Sequence, residues 1–251
     1  NFLSQTDVKF YHFIFYGIPI FISFPVYLFF KGQLINNLKC LNVYPPVIRG
    51  ILNIPLPFIA FLTLKHIKLP EFTILNMTAP LMASIFAIII LKEKLNLYTY
   101  MSLLVGFFGI FFLIQPSFET FNIYYLYVLV GVFLITLTTF IVNKYNHATS
   151  NIGYFLYGGF FVHLISIPLF IYDPILVSYF ELILIIVAAI FINTAMFFAT
   201  TAFKIAQKHY ASVFPLVYLQ VFWSSLVGMY FFNEYMNIYE YFGAILIILS
   251  G

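Results

Sequence analysis

Nine stretches of mostly apolar residues, eight near the length of a membrane crossing and the last cut short by the end of the chain, follow one another and leave few folds to adopt. A helix needs about 20 such residues to span the hydrocarbon of a bilayer. The stretches are Tyr11–Phe30, Val47–Leu64, Phe72–Leu91, Tyr98–Ile114, Ile123–Val142, Ile152–Ile171, Phe180–Thr200, Ala211–Phe232 and Tyr239–Gly251. Links such as Lys92-Glu93-Lys94 and Asn233-Glu234 are so short that the helices they join must be antiparallel neighbours. The runs are continuous, whereas a membrane barrel shows ten-residue alternating segments, so helices are expected.

Composition agrees. Of 251 residues, 63% are apolar and 8% are charged, against roughly a quarter charged in an ordinary soluble domain. A soluble fold of this length has too little interior for that much apolar surface. A cytosolic enzyme, a nucleic-acid binder and a disordered chain are therefore excluded. Cys40 is the one cysteine, which removes an internal disulfide and a cysteine-rich metal site. The expected fold class is all-α, a polytopic membrane helix bundle, with no cofactor, no metal and no nucleic-acid partner.

The lysines set direction. With alternating spans, Lys31, Lys39, Arg49, Lys92, Lys94, Lys144, Lys204 and Lys208 share one side, and Lys9, Lys65 and Lys68 share the other with seven of the eight acids. The positive-inside rule assigns the first group to the cytoplasm, in a cell inner (plasma) membrane. The first residues here then lie outside and the last ones inside.

The chain also resembles itself at an offset of 141 residues. Glu93, Asn96, Tyr98 and Tyr100 reappear as Glu234, Asn237, Tyr239 and Tyr241, while Tyr16-Gly17 parallels Tyr157-Gly158. Ser23-Phe24-Pro25 parallels Ser166-Ile167-Pro168 at an offset of 143. Two copies result, 1–116 and 117–251, of four and five visible spans. The register predicts one helix ahead of the first span, hence ten in the intact protein. Five helices per copy make the repeat inverted, a plan common among secondary transporters, whose site lies near the midplane where the copies meet.

At Ala79-Pro80-Leu81, Leu91-Lys92-Glu93 and Ile114-Gln115-Pro116 the chain resembles the drug/metabolite transporter superfamily, in its EamA-type branch. In the second half Ala202-Phe203-Lys204, Tyr210-Ala211-Ser212, Pro215-x-x-Tyr218-x-Gln220 and Phe232-Asn233-Glu234 carry the likeness. That half is similar to the branch containing S-adenosylmethionine carriers, in which an acid often stands where Gln220 does here. The resemblance implies two inverted five-helix repeats with both termini cytoplasmic.

Hydrogen-bonding side chains at membrane depth must face the bundle interior, which makes them site candidates. His163 and Gln220 fall near the middle of their spans, and Trp223, three residues from Gln220, shares its face. Tyr218 lies beside them. Asn53 and Asn193 occupy similar depths in spans that the repeat makes counterparts, and Tyr16 and Tyr157 are exact repeat partners. For each the alternative is packing or helix-to-helix bonding. Arg49, the one arginine, is expected to snorkel to headgroups or to attract an anion at the mouth. Glu93 and Glu234 are expected to cap helices. Prolines within spans, Pro19, Pro25, Pro55, Pro57, Pro80, Pro168 and Pro215, are expected to bend them.

The acids all fall at span ends or in loops. A carrier of a small organic metabolite is expected, amino-acid-like or nucleoside-like, with S-adenosylmethionine among the candidates. It would work by alternating access, as an exchanger or uniporter, with a small molecule and the lipid bilayer as partners and the oligomeric state open. A membrane-embedded enzyme or a channel is the alternative, but neither a clustered catalytic set nor a filter motif is present in the sequence.

Overall fold

The computed structural model describes residues 7–79, 81–83, 86, 97–114, 122–206 and 219–250. Among them are eleven helices: α1 (Phe10–Phe30), α2 (Leu34–Leu38), α3 (Tyr44–Asn53), α4 (Pro55–Thr63), α5 (Leu69–Asn76), α6 (Leu97–Ile114), α7 (Tyr124–Lys144), α8 (Asn151–Tyr172), α9 (Tyr179–Ala206), α10 (Leu219–Phe232) and α11 (Ile238–Ser250). The described residues form no strand, and only Cys40 and Thr149 pair in extended fashion. Five segments are long and apolar enough to cross a membrane: Phe10–Phe30, Tyr44–Thr63, Tyr124–Lys144, Asn151–Tyr172 and Tyr179–Ile205. The protein is a polytopic helical bundle.

Its polarity is that of a membrane protein. Large apolar side chains such as Phe191 and Phe198 stand exposed, while His12, Arg49, Glu71, Thr136, Ser166 and Glu240 are buried. Lipid rewards an apolar exterior, and polar groups are driven inward to find partners.

The chain divides into two compact units, Asn1–Phe61 with Thr138–Tyr210 and Leu62–Leu137 with Ala211–Gly251. Each draws on both halves of the sequence. In the first unit α1 packs on α8 and α9, and α3 packs on α8. Phe21, Phe155 and Leu156 form its apolar centre, with Phe24, Ile152 and Phe197 around them. In the second unit α11 lies along α6 and α10 packs on α5, over a core of Ile67, Ile74, Leu75, Met77, Val128, Val132, Ala244 and Ile247.

Local chemistry ends these helices where it should. After α1, Gly32 takes a positive φ of 65°, and Gln33 N–H and Gly32 N–H bond back to Leu28 and Phe29. That is the Schellman stop, which needs the left-handed conformation glycine adopts freely. Ser150 caps α8 by accepting from Gly153 N–H at 2.8 Å. Asn237 and Glu240 cap α11 reciprocally, Asn237 N–H donating to Glu240 Oε2 at 2.8 Å and Glu240 N–H to Asn237 Oδ1 at 2.9 Å.

Prolines act unequally. Pro25 and Pro168 lie inside unbroken α1 and α8. Two residues before each, a serine hydroxyl bonds the carbonyl three residues back: Ser23 to Ile20 at 2.6 Å and Ser166 to His163 at 2.7 Å. The second crossing, in contrast, loses hydrogen bonds between α3 and α4, although its backbone stays helical at Ile54 with φ −55° and ψ −48°. Pro55 and Pro57 have no N–H for the carbonyls of Ile51 and Asn53, so the α-helical ladder fails at both rungs. Ile54 N–H bonds Ile51 O instead, a tighter turn.

Candidate functional site

The interruption falls at the middle of its crossing: Asn53 is the tenth of the twenty residues in Tyr44–Thr63. There α3 meets α8 at close range, because both sides are glycine. A methyl on Gly50 would collide with the Tyr157 carbonyl and with the Phe161 ring at 2.6 Å. A methyl on Gly158 would stand 3.0 Å from Arg49 Nη1 and 3.3 Å from Asn53 Nδ2. Arg49 and Asn53, four residues apart, occupy one face of α3. The Asn53 amide donates to the Gly158 carbonyl at 3.1 Å.

Arg49 does not snorkel. It is only 6% exposed, closed in by α3, α8 and α9. Its Nη1 donates to the Tyr154 carbonyl and its Nη2 to the Thr200 hydroxyl at 2.8 Å, while its Nε has no partner among the described residues. The guanidinium also lies 6.0 Å from the Tyr154 ring centre. Arg49, Tyr154 and Thr200 all fall near the helix ends that the lysine pattern puts on one side.

The other sequence candidates are distributed. Tyr157, half-buried on the α8 face that meets α3, reaches the Leu38 carbonyl at 3.5 Å. Its repeat partner Tyr16 is held elsewhere, donating to the Ile175 carbonyl at 2.6 Å with its ring against Phe170. His163 faces α1: its ring stacks on Phe21 at 4.2 Å, and Nδ1 bonds the Gly159 carbonyl one turn back at 2.8 Å. That bond makes Nδ1 the protonated nitrogen and leaves Nε2 as an acceptor. Asn193 bonds the Ala189 carbonyl of its own helix at 2.8 Å. Gln220 and Trp223, on α10 of the second unit, are both exposed, as three-residue spacing on one face requires. Tyr218 lies outside the described residues. The structure therefore brings Asn53 and Tyr157 to the α3–α8 crossing, and adds Arg49, Tyr154 and Thr200.

Outside the apolar segments two charge clusters tie helix ends together. In the first unit Lys9 Nζ and the Tyr11 hydroxyl meet Asp173 Oδ2 at 2.6 and 2.5 Å. The bond from Lys9 and then that from Tyr11 hold the Asp173 carboxyl below its usual range, and the carboxylate raises Lys9 in turn. Buried His12 accepts from Lys9 N–H at 3.1 Å, so its Nε2–H donates to the Asp173 carbonyl at 2.6 Å. In the second unit Lys68 lies between Glu71 at 3.3 Å and Glu240 at 3.5 Å. Burial pulls the Lys68 ammonium down, but the two carboxylates more than offset it and leave it raised. Glu234 Oε2 accepts from Leu69 N–H at 2.7 Å, capping α5. Glu93 lies outside the described residues.

Comparison with known proteins fits this architecture. Residues 1–115 match the EamA-like transporter family. An S-adenosylmethionine uptake transporter of Rickettsia prowazekii is 26% identical over 98% of this chain and 81% of its own length. Those of Rickettsia felis and Rickettsia conorii are 24% and 25% identical over the same shares. A solved crystal structure superposes with a TM-score of 0.66 at 16% identity, covering 98% of this chain and 87% of that one, and shows the same fold. With the first 115 residues similar to EamA-like transporters and relatives named for uptake running through both halves, the comparisons support a multi-pass membrane transporter of small metabolites.

Proposed function

We propose that this protein carries S-adenosylmethionine, or a closely similar zwitterion built on an amino acid, by alternating access as an exchanger or uniporter. The observation that carries this reading is the near-full-length similarity to S-adenosylmethionine uptake transporters, which leaves neither half of the chain unmatched. The loss of backbone hydrogen bonds around Ile54 supports it, since carbonyls left without a helical donor at mid-depth are open to a substrate. Asn53 and Tyr157 would then contact substrate from the α3–α8 crossing, and His163 would offer Nε2 as an acceptor. Tyr16, Asn193, Tyr218, Gln220 and Trp223 belong to the same proposal as further contacts. The lysine-rich side is assigned to the cytoplasm.

The test is uptake of labelled S-adenosylmethionine into proteoliposomes, with and without unlabelled internal substrate. Accumulation that rises severalfold with internal substrate supports exchange, and equal rates support uniport. Folded protein that moves neither this solute nor any amino acid in a panel would sink the reading.

A further inference from the structure

We propose that Arg49, with Asn53 one turn away, is the docking point for the headgroup of an α-amino acid: Arg49 takes the carboxylate and Asn53 the ammonium. This rests on the substrate reading above and names what selects the substrate. A buried guanidinium is ordinarily neutralised by a carboxylate, because burial without one is strongly unfavourable. Arg49 is 6% exposed, and among the described residues no carboxylate lies within ion-pair distance of it. Among the described residues its partners are a neutral carbonyl and a neutral hydroxyl, and Nε has none. The site is therefore one negative charge short. A carboxylate that engaged Nε and one Nη together would supply it in the fork geometry that guanidinium favours.

Packing does not explain the charge. The repeat makes Gly17 the counterpart of Gly158, and the α1–α9 crossing the counterpart of the α3–α8 crossing. At that second crossing Gly17 faces Ala189, with 3.5 Å to its Cβ. The residue equivalent to Arg49 is Ile190, apolar and 47% exposed. The same helix contact is thus built once without a charge and once around a buried arginine. Asn53 supplies the complementary half. Its Nδ2 is committed to Gly158, while its backbone carbonyl has lost its helical donor to Pro57, leaving oxygen acceptors for an ammonium. One cation and one set of acceptors a helical turn apart match the two charges of an amino-acid headgroup.

The experiment compares uptake of S-adenosylmethionine with that of its decarboxylated analogue, which keeps the sulfonium, the amine and the adenosine. The wild type is expected to prefer the carboxylate form by roughly tenfold to a hundredfold, the range for a charged hydrogen bond. Arg49→Gln should bring the ratio near one, and Arg49→Lys, which keeps the charge without the fork, should fall between. A variant that carries less but keeps the wild-type ratio makes Arg49 a mere helix latch and overturns the proposal. If neither variant folds, equal rates for the two solutes in the wild type overturn it alone. If S-adenosylmethionine is not carried at all, the substrate reading fails. The ratio is then taken between whichever panel amino acid is carried and its decarboxylated amine. Preference for the acid upholds the Arg49 assignment, and equality ends it.

Discussion

At the scale of single residues, glycine decides how closely helices approach, and the two copies use it differently. Gly50 has no room for a methyl, whose nearest neighbours would be the Tyr157 carbonyl and the Phe161 ring. Gly17 has room, with Ala189 at an ordinary 3.5 Å. Gly50→Ala should therefore destabilise by about 1–3 kcal/mol, the usual penalty for overpacking a close contact. Gly17→Ala should leave thermal unfolding in detergent nearly unchanged. Equal losses in the two variants would mean that the α3–α8 contact is no tighter than its counterpart. Sequence alone places Gly50 next to Arg49 but cannot show that both turn toward α8. The signal available was the rarity of arginine in this chain and its position five residues beyond Tyr44, about 7.5 Å along the helix axis. Snorkelling is common for such residues, which is why the expectation missed the burial.

At the scale of elements, the approximate limits of the five crossings found among the described residues were legible, because a bilayer imposes one length on every helix. What periodicity could not separate was a proline that bends from one that breaks. Pro25 and Pro168 each follow a serine whose hydroxyl occupies a carbonyl in the same turn, and α1 and α8 stay intact. Pro55 and Pro57 stand two apart and remove alternate donors, and the hydrogen-bond ladder is interrupted while the backbone at Ile54 stays helical. Replacing both by Ala should restore a continuous hydrogen-bond ladder. Melting temperature is expected to hold or rise, since proline inside a helix is unfavourable, while uptake falls tenfold or more. Unchanged uptake would separate the break from transport. The tie between the start of α1 and the link after α8 has its own signature. Asp173 titrates below its unfolded value of 3.8, so its contribution is complete above that pH and is lost as pH falls through the folded value. Lys9 titrates above 10.5, so its contribution is complete below that pH and is lost as pH rises through the folded value. The melting difference between wild type and Asp173→Asn should be flat from about pH 5 to pH 9 and shrink in stronger acid or base. A difference that varied across neutral pH would mean that the Lys9–Asp173 pair is not what the substitution removes.

For the whole molecule, alternation of the crossings and the sign of each side are separate matters. Alternation follows from the contacts within each unit. Lys9 pairs with Asp173, and Lys68 with Glu240, all residues that the count of crossings puts on the acid-rich side. Arg49 reaches Tyr154 and Thr200, and Leu41 N–H reaches the Ala148 carbonyl at 2.8 Å, all on the lysine-rich side. A miscounted crossing would have put some of these partners at opposite faces of the bilayer. The sign rests on the lysine excess alone, and Cys40 offers a direct probe of it. This single thiol is half-buried in the link between α2 and α3, on the lysine-rich side. In right-side-out vesicles a membrane-impermeant maleimide should leave Cys40 unlabelled until the membrane is permeabilised. In a Cys40→Ser background, Lys65→Cys, exposed in the link after α4, should be labelled without permeabilisation. The reverse pattern would turn the protein over and put Arg49 near the external mouth. Dual labelling of each site would indicate that both orientations coexist. Because Arg49 lies nearer the lysine-rich face than Asn53 does, the expected pattern would also put the guanidinium on the cytoplasmic side of Ile54, so that on the proposed reading the two residues would meet a substrate in opposite order from the two faces.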